Sequence, residues 1–169
     1  HNVNMLIGAD GYRYFREEKS LASFYSEGAR AWIENYNSAF LIDPNRPVQV
    51  YHKAKPVLGA EKVPFLGWFP SLKEYSVELG GTSGMIGLGE EPINMVSGDY
   101  RFAPLICYES VYGDYVSYFT GRGADILCVI TNDGWWQDTP GYKQHRSFSQ
   151  IRAIENRRSV ARSANTGIS

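Results

Sequence analysis

The sequence has little of what several large classes of protein require. Its 169 residues include only two cysteines, too few for the disulfide framework of a small secreted domain. Its 17 Lys and Arg residues are balanced by 18 Asp and Glu residues, and no basic block occurs. Because nucleic-acid binding depends on neutralising phosphates with clustered positive charge, we expect no nucleic acid among the partners.

Long apolar runs and metal-ligand patterns are also missing. No uninterrupted apolar stretch approaches the about 20 residues needed to cross a bilayer, so these residues alone are not expected to anchor in a membrane. The three histidines, His1, His52 and His145, lack metal-ligand spacing, and no pair of cysteines accompanies them. The glycines of Gly84-x-x-Gly87-x-Gly89 are in the wrong order for a dinucleotide site. We therefore expect no metal and no cofactor, and a flexible loop at these glycines.

The length predicts one domain, in which about two thirds of the unfolded surface is buried on folding. The chain starts at His1 without an initiator methionine and stops at Ser169. We expect both ends to be cut from a longer protein. No break within the chain is long enough to separate two domains.

The N-terminal half predicts short strands. Residues 4–8 form an apolar run closed by turn residues, and residues 36–42 and 47–51 flank an Asp-Pro-Asn turn, which is typical of a hairpin. Residues 11–30 are polar and aromatic, so a loop is expected there.

The C-terminal half predicts alternating strands and helices. Residues 101–106 and 125–131 are apolar at consecutive positions, as strands covered on both faces are. A helix is expected within residues 110–121, and another within 141–159, where Phe148, Ile151 and Ile154 have helical spacing. A last strand is expected at residues 160–168. This order indicates the α/β class.

Cys107 is the first candidate for chemistry. It ends an apolar run and is followed two residues later by a glutamate, as an exposed nucleophile at a strand end would be. A thiol is strongly nucleophilic as thiolate, which a nearby cation favours, and Lys53 can supply that charge. Cys128 lies inside an apolar run, so we expect a buried, inert thiol there.

Several short motifs together resemble one family. Each is weak alone, but their order along the chain is that of the nitrilase superfamily, and the likeness is greatest to the periplasmic domain of the apolipoprotein N-acyltransferases. The motifs are Tyr51-His-Lys-Ala-Lys55, Gly59-Ala-Glu61, Ile106-Cys-Tyr-Glu-Ser110, Thr131-Asn-Asp-Gly-Trp-Trp136, Gln144-His145, Arg152-Ala-Ile-Glu155 and Arg162-Ser-Ala-Asn-Thr-Gly167.

The resemblance implies a fold and a set of site residues. The fold is a four-layer α-β-β-α sandwich, here partial, spanning residues 1–169 as a single partial catalytic domain. The family's triad of Glu, Lys and Cys implies Cys107 as nucleophile and Lys53 as its lysine. Glu61 matches a second glutamate that holds the lysine or the acyl intermediate in position.

Further pocket residues are implied with alternatives. The backbone N–H of Tyr108, which follows the nucleophile, suits an oxyanion donor. Glu109 matches a family position but could equally bind nearby backbone or an arginine. Trp135 and Trp136 either flank the acyl pocket or form a buried aromatic cluster.

The triad glutamate that serves as general base has no match in this chain, because in the family it lies upstream of residues 4–8. The resemblance therefore places that segment, the C-terminal strands and the membrane helices of the parent protein outside these 169 residues. We expect the isolated fragment to be inactive.

The implied activity is transfer of a fatty acyl group from a phospholipid, through a Cys107 thioester, to the N-terminal amine of a lipidated apolipoprotein. The implied place is the bacterial inner membrane, with the catalytic domain facing the periplasm. The membrane would be reached through the parent protein.

Two alternatives remain. One is a soluble nitrilase-type amidase, in which water takes the acyl group from a small carbon-nitrogen substrate. The long stretch at residues 63–98 favours the acyltransferase, because its apolar and Gly-rich segments suit a lid that meets lipid. The other is a binding module without chemistry, which the presence of Lys53, Glu61 and Cys107 argues against.

Overall fold

The first sheet is antiparallel and is built around one long strand. In the computed structural model, which describes residues 3–57, 61 and 85–169, strand β3 (Ala31–Ile42) pairs along its whole length with β1 (Met5–Phe15). Its other edge pairs with β2 (Phe24–Ser26) near its start and with β4 (Gln49–His52) near its end. The expected hairpin is confirmed as β3 and β4, and it brings Lys53 to the end of β4.

The loop expected at residues 11–30 is confirmed only for residues 16–23 and 27–30, which contain no strand or helix. Strand β1 continues to Phe15, and β2 occupies Phe24–Ser26. The aromatic residues that made this segment look irregular are largely exposed: Tyr12, Tyr14 and Tyr25 are more than half exposed. A strand that is not covered on both faces lacks the apolar run by which residues 4–8 were recognised.

The second sheet holds the predicted α/β part of the chain. Strand β5 (Met95–Ser97) pairs antiparallel with β6 (Tyr100–Ile106), and β6, β7 (Ile126–Thr131) and β8 (Ser159–Ala164) are parallel in that order. Helix α1 (Gly113–Gly121) connects β6 to β7, and helix α2 (Gly141–Asn156) connects β7 to β8. The predicted order of strand, helix, strand, helix is confirmed, although the last strand ends at Ala164.

The two sheets pack on each other. Strand β1 approaches β7 so closely that a Cβ on Gly8 would collide with Ile130, and glycine permits this contact. The buried core combines Ala39 and Leu41 of the first sheet with residues of the second sheet and of α1; these are Met95, Ala103, Leu105, Tyr115, Val116, Phe119, Leu127 and Val129. Two packed sheets with helices against the second are part of an α-β-β-α sandwich, as predicted.

Helix α2 is confirmed, but its buried face is polar. Gly141, His145, Ser149 and Arg152 face inward, whereas Ile151 is 41% and Ile154 is 78% exposed. The apolar spacing predicted the helix, and the structure turns those two isoleucines outward. The polar inward face lies beside the end of β6.

None of the helices in the described ranges is both long enough and apolar enough to span a membrane. The predicted lid at residues 63–98 lies outside the described residues up to position 84, and residues 85–89 of the Gly-rich tract contain no helix or strand. At its end the lid prediction is wrong, because β5 pairs with β6 and Met95 is fully buried in the core.

Candidate active site

Cys107 lies directly after β6, at the first position of a short 3-10 helix, Cys107–Val111. Its φ angle is +53°, in the left-handed region that residues other than glycine adopt rarely. Such strain persists only where surrounding contacts enforce it, and it is characteristic of nucleophiles on a sharp turn after a strand. The backbone therefore presents the thiol at the strand end, where the sequence placed it.

Lys53 is fully buried beside Glu61. Its Nζ lies 2.6 Å from each carboxylate oxygen of Glu61, and the two side chains are 0% and 3% exposed. Glu61 also accepts hydrogen bonds from the side-chain amide of Asn37 at 2.9 Å and from the backbone N–H of Val57 at 2.7 Å. All four lone-pair directions of the carboxylate are thus occupied, which fixes the ammonium in place.

Burial has the largest influence on the Cys107 thiol and raises its pKa above the ordinary value. The Lys53 ammonium and a hydrogen bond with the Thr131 hydroxyl act in the opposite direction, Glu61 adds to the rise, and the Tyr108 backbone N–H lowers it. The sequence predicted that Lys53 favours the thiolate; it does so, but burial outweighs it. The resting sulfur is therefore protonated, and attack on a carbonyl requires a base to take the proton.

The pH dependence of Cys107 alkylation tests this balance. Because the thiol pKa is raised, the alkylation rate with iodoacetamide should still be rising above about pH 8.5, the ordinary thiol pKa. Peptide mass mapping at increasing pH measures it. Cys128 is the internal control, because burial raises its pKa to about 11 and encloses its side chain. A Cys107 rate that levels off below pH 8 would contradict the expectation.

Glu109 is buried and accepts four hydrogen bonds. One carboxylate oxygen binds the hydroxyl of Tyr51 at 2.7 Å and the backbone N–H groups of Ala54 and Lys55 at 2.8 and 3.1 Å; the other binds the backbone N–H of Ile106 at 2.8 Å. Burial raises its pKa, and these donors oppose the rise. The side chain ties the segment after Lys53 to the strand end before Cys107.

The predicted aromatic residues lie around the same turn. Tyr108 is half-buried and its ring stacks on His145, with ring centroids 6.1 Å apart. Trp135 and Trp136 are half-buried in the short 3-10 helix Asp133–Trp136 after β7, and Trp136 packs against Gly141. Their place after β7 fits both alternatives, the wall of an acyl pocket and an aromatic cluster.

A network of buried polar side chains next to Cys107 was not predicted from the sequence. Asp133 binds Nδ1 of His145 at 2.9 Å through one oxygen and the guanidinium of Arg162 through the other. Nε2 of His145 lies 3.1 Å from the carbonyl oxygen of Cys107, and the hydroxyl of Ser110 donates to that same oxygen at 3.0 Å. Asp133 and His145 are each 3% exposed.

The residues of this network were present in the motifs found in the sequence, but no contact among them was predicted. Asp133, His145 and Arg162 belong to three separate motifs. Asp133 follows β7, His145 lies in α2 and Arg162 lies in β8. In a parallel sheet the carboxyl ends of neighbouring strands lie side by side, so polar residues near those ends meet.

Glu34 forms a second buried carboxylate cluster, away from the matching motifs. It accepts hydrogen bonds from Ser20 and Ser23 at 2.7 Å each and from Tyr36. Burial, and then Glu34 itself, raise the pKa of Tyr36 to about 12. Glu34 lines a cavity of about 740 Å³ whose wall also includes Glu61. Its oxygens are already bound, so it does not act as a free base.

Comparison with known proteins finds one family profile and several relatives. The profile of the carbon-nitrogen hydrolase family matches residues 11–169. Apolipoprotein N-acyltransferases are similar to this chain: that of Chlorobaculum tepidum is 41% identical over 138 residues, that of Rhizobium meliloti 38% over 135, and that of Thermotoga maritima 34% over 139. The aligned regions cover 79–80% of this chain and 25–26% of those proteins. The chain thus spans about a quarter of the length of these relatives.

Solved structures with the same fold are more distant in sequence. An amidase from Nesterenkonia sp. superposes with a TM-score of 0.57 at 16% identity, covering 96% of this chain and 47% of the amidase. A carbon-nitrogen hydrolase from Helicobacter pylori gives a TM-score of 0.54 at 16% identity, covering 80% of this chain and 42% of that protein. At this identity the likeness concerns the fold alone.

Proposed function

The chain belongs to the carbon-nitrogen hydrolase family, and from that membership we propose that it is part of an N-acyltransferase that carries a fatty acyl group on Cys107. The observation that carries the proposal is the convergence of a strained cysteine with a buried Lys53–Glu61 pair, in a chain 34–41% identical to apolipoprotein N-acyltransferases. The acyl donor proposed is a phospholipid, and the acceptor is the N-terminal amine of a lipidated apolipoprotein.

The first half-reaction forms a thioester. The Cys107 sulfur attacks the ester carbonyl carbon of the phospholipid while its proton passes to a base, and the lysophospholipid oxygen leaves with a proton. Lys53 has three N–H groups, of which two bind Glu61. The third N–H and the backbone N–H of Tyr108 are the proposed donors to the oxyanion.

The second half-reaction returns the thiol. The acceptor amine attacks the thioester carbonyl, an amide bond forms, the carbon–sulfur bond breaks, and the amine proton passes through the base to the sulfur. Glu61 is a poor base, because its lone pairs are occupied by Lys53, Asn37 and Val57. We therefore assign the base to a glutamate upstream of these residues, as the sequence resemblance implied, and hence expect residues 1–169 alone to be inactive.

The proposed location follows from the substrates. A phospholipid donor and a lipidated acceptor both reside in a membrane, so the catalytic domain works at its surface. We propose the periplasmic face of a bacterial inner membrane, reached through segments of the parent protein.

Intact mass spectrometry tests the proposal. The complete gene product is incubated with vesicles of phosphatidylethanolamine and phosphatidylglycerol, and one fatty-acyl mass should appear on the wild type. Cys107→Ala should lack it, and Cys128→Ala, the matched control, should retain it because that buried thiol lies inside β7. An adduct on Cys107→Ala, or hydrolysis of small amides without any adduct, would overturn the acyltransferase in favour of other chemistry or of an amidase.

A further inference from the structure

The carbonyl oxygen of Cys107 lies against helix α2. It accepts the hydroxyl of Ser110 at 3.0 Å and faces Nε2 of His145 at 3.1 Å. We propose that His145 is a positioning residue for Cys107: its Nε2 contacts the Cys107 carbonyl, and Asp133 fixes the ring through Nδ1. This deepens the proposed function and, in its catalytic meaning, rests on it.

The two ring nitrogens of His145 have different partners. Nδ1 lies 2.9 Å from a carboxylate oxygen of Asp133. Nε2 lies 3.1 Å from the Cys107 carbonyl oxygen and 3.3 Å from the Ser110 hydroxyl. The ring therefore connects Asp133 to the turn at Cys107.

Further contacts hold the ring in place. Asp133 also binds Arg162, whose Nη2 lies 3.4 Å from Nδ1 of His145, and Tyr108 stacks on the ring. Contacts at Nδ1 and on the ring face therefore define the position of Nε2 against the Cys107 carbonyl.

The contact also explains how the strained backbone at Cys107 is held. A residue other than glycine at a φ angle of +53° needs surrounding contacts that enforce it. The contact with His145 fixes the peptide between Cys107 and Tyr108, and that peptide carries the Tyr108 N–H. One contact thus orients both the thiol and the oxyanion donor.

Two substitutions separate the positioning contact from a merely structural role of His145. In His145→Gln the amide nitrogen can reach the position of Nε2, so the contact with the Cys107 carbonyl is kept. In His145→Asn the shorter amide corresponds to Nδ1, so the contact with Asp133 is kept and the Cys107 contact is lost. Ser149→Ala, one turn further along the buried face of α2, is the matched control, because its hydroxyl has no hydrogen-bond partner among the described residues.

The readout is the rate of Cys107 alkylation by iodoacetamide against pH in the complete gene product. His145→Gln should reach the wild-type rate at high pH, because its amide keeps the contact with the Cys107 carbonyl. His145→Asn should reach a high-pH rate lower by about 10-fold or more, since a misplaced group loses up to about 10²-fold. Ser149→Ala should match the wild type.

Equal high-pH rates for the Gln and Asn variants would overturn the inference. If His145→Asn does not fold, as shown by alkylation of Cys128, Asp133→Asn replaces it and must lower the high-pH rate, because it weakens the contact that fixes the ring. An unchanged rate would then overturn the inference. Acyl-adduct formation is measured separately. An absent wild-type adduct rejects the proposed function, and the alkylation profiles judge His145 independently.

Discussion

Replacing Lys53 by methionine should lower the free energy of unfolding by about 3–5 kcal/mol, the cost of leaving a buried charge without its partner. The reason is Glu61, whose side chain is 3% exposed and whose two oxygens both contact the lysine nitrogen. Methionine fills the space of the lysine stem but offers the carboxylate no donor. Chemical denaturation of the variant and the wild type gives the difference.

A double-mutant cycle shows whether the loss comes from the stranded carboxylate. Glu61→Gln alone leaves the ammonium unpaired and should also destabilise strongly. The double variant Lys53→Met, Glu61→Gln should recover most of the loss, because no uncompensated charge is then buried. Lys143→Met, at an exposed position of α2, should change the stability little. Additive losses in the double variant would contradict the explanation.

The same substitution should slow formation of the Cys107 acyl adduct by about 10²–10³-fold, the usual cost of removing one oxyanion donor. The double variant should stay slow although its stability returns. Activity and stability thus separate in one variant, which a merely misfolded protein would not allow.

Glu109→Gln should destabilise the protein by about 1–3 kcal/mol and reduce the rate of acylation by about 10²-fold. The carboxylate accepts four donors, and an amide has only one oxygen, so its NH₂ group faces at least one donor that can no longer be bound. The segment after Lys53 and the turn at Cys107 then lose their common attachment.

Glu91→Gln is the control for this substitution, since the Glu91 side chain is 72% exposed and lies 4.0 Å from Arg122. It should leave both stability and acylation nearly unchanged. Denaturation curves and intact-mass time courses measure the two effects. If the Glu109→Gln variant had the stability of the wild type, the four hydrogen bonds would contribute nothing measurable to the free energy of unfolding, against this expectation.

The parts of the fold that the sequence predicted are those with a strong local pattern. Strands β6 and β7 are covered on both faces and are apolar at consecutive positions, and the hairpin of β3 and β4 surrounds an Asp-Pro-Asn turn. Strand β2 and the second half of β1 carry exposed aromatics, so their pattern is that of a loop. Their strand structure comes from pairing with β3, a long-range contact that local sequence does not record.

The site residues also divide into those predicted from a local pattern and those that were not. Cys107, Lys53 and Glu61 were predicted from short motifs, because each lies beside recognisable neighbours in the chain. The network of Asp133, His145 and Arg162 was not predicted, because these residues are far apart in sequence and meet only when β7, α2 and β8 lie side by side. Helix α2 was predicted from the spacing of apolar residues, so the polar residues on its buried face, which include His145, were not recognised as part of the site.

The division of the site between two sheets has a consequence for the folding chain. Lys53 follows a strand of the antiparallel sheet, and Cys107 follows a strand of the mainly parallel one. Each sheet can pair its strands internally, but the ammonium approaches the sulfur, and Glu109 joins the two segments, only when the sheets dock. A chain whose two sheets have not docked therefore carries an ordinary thiol, and the nucleophile acquires its special surroundings only through docking.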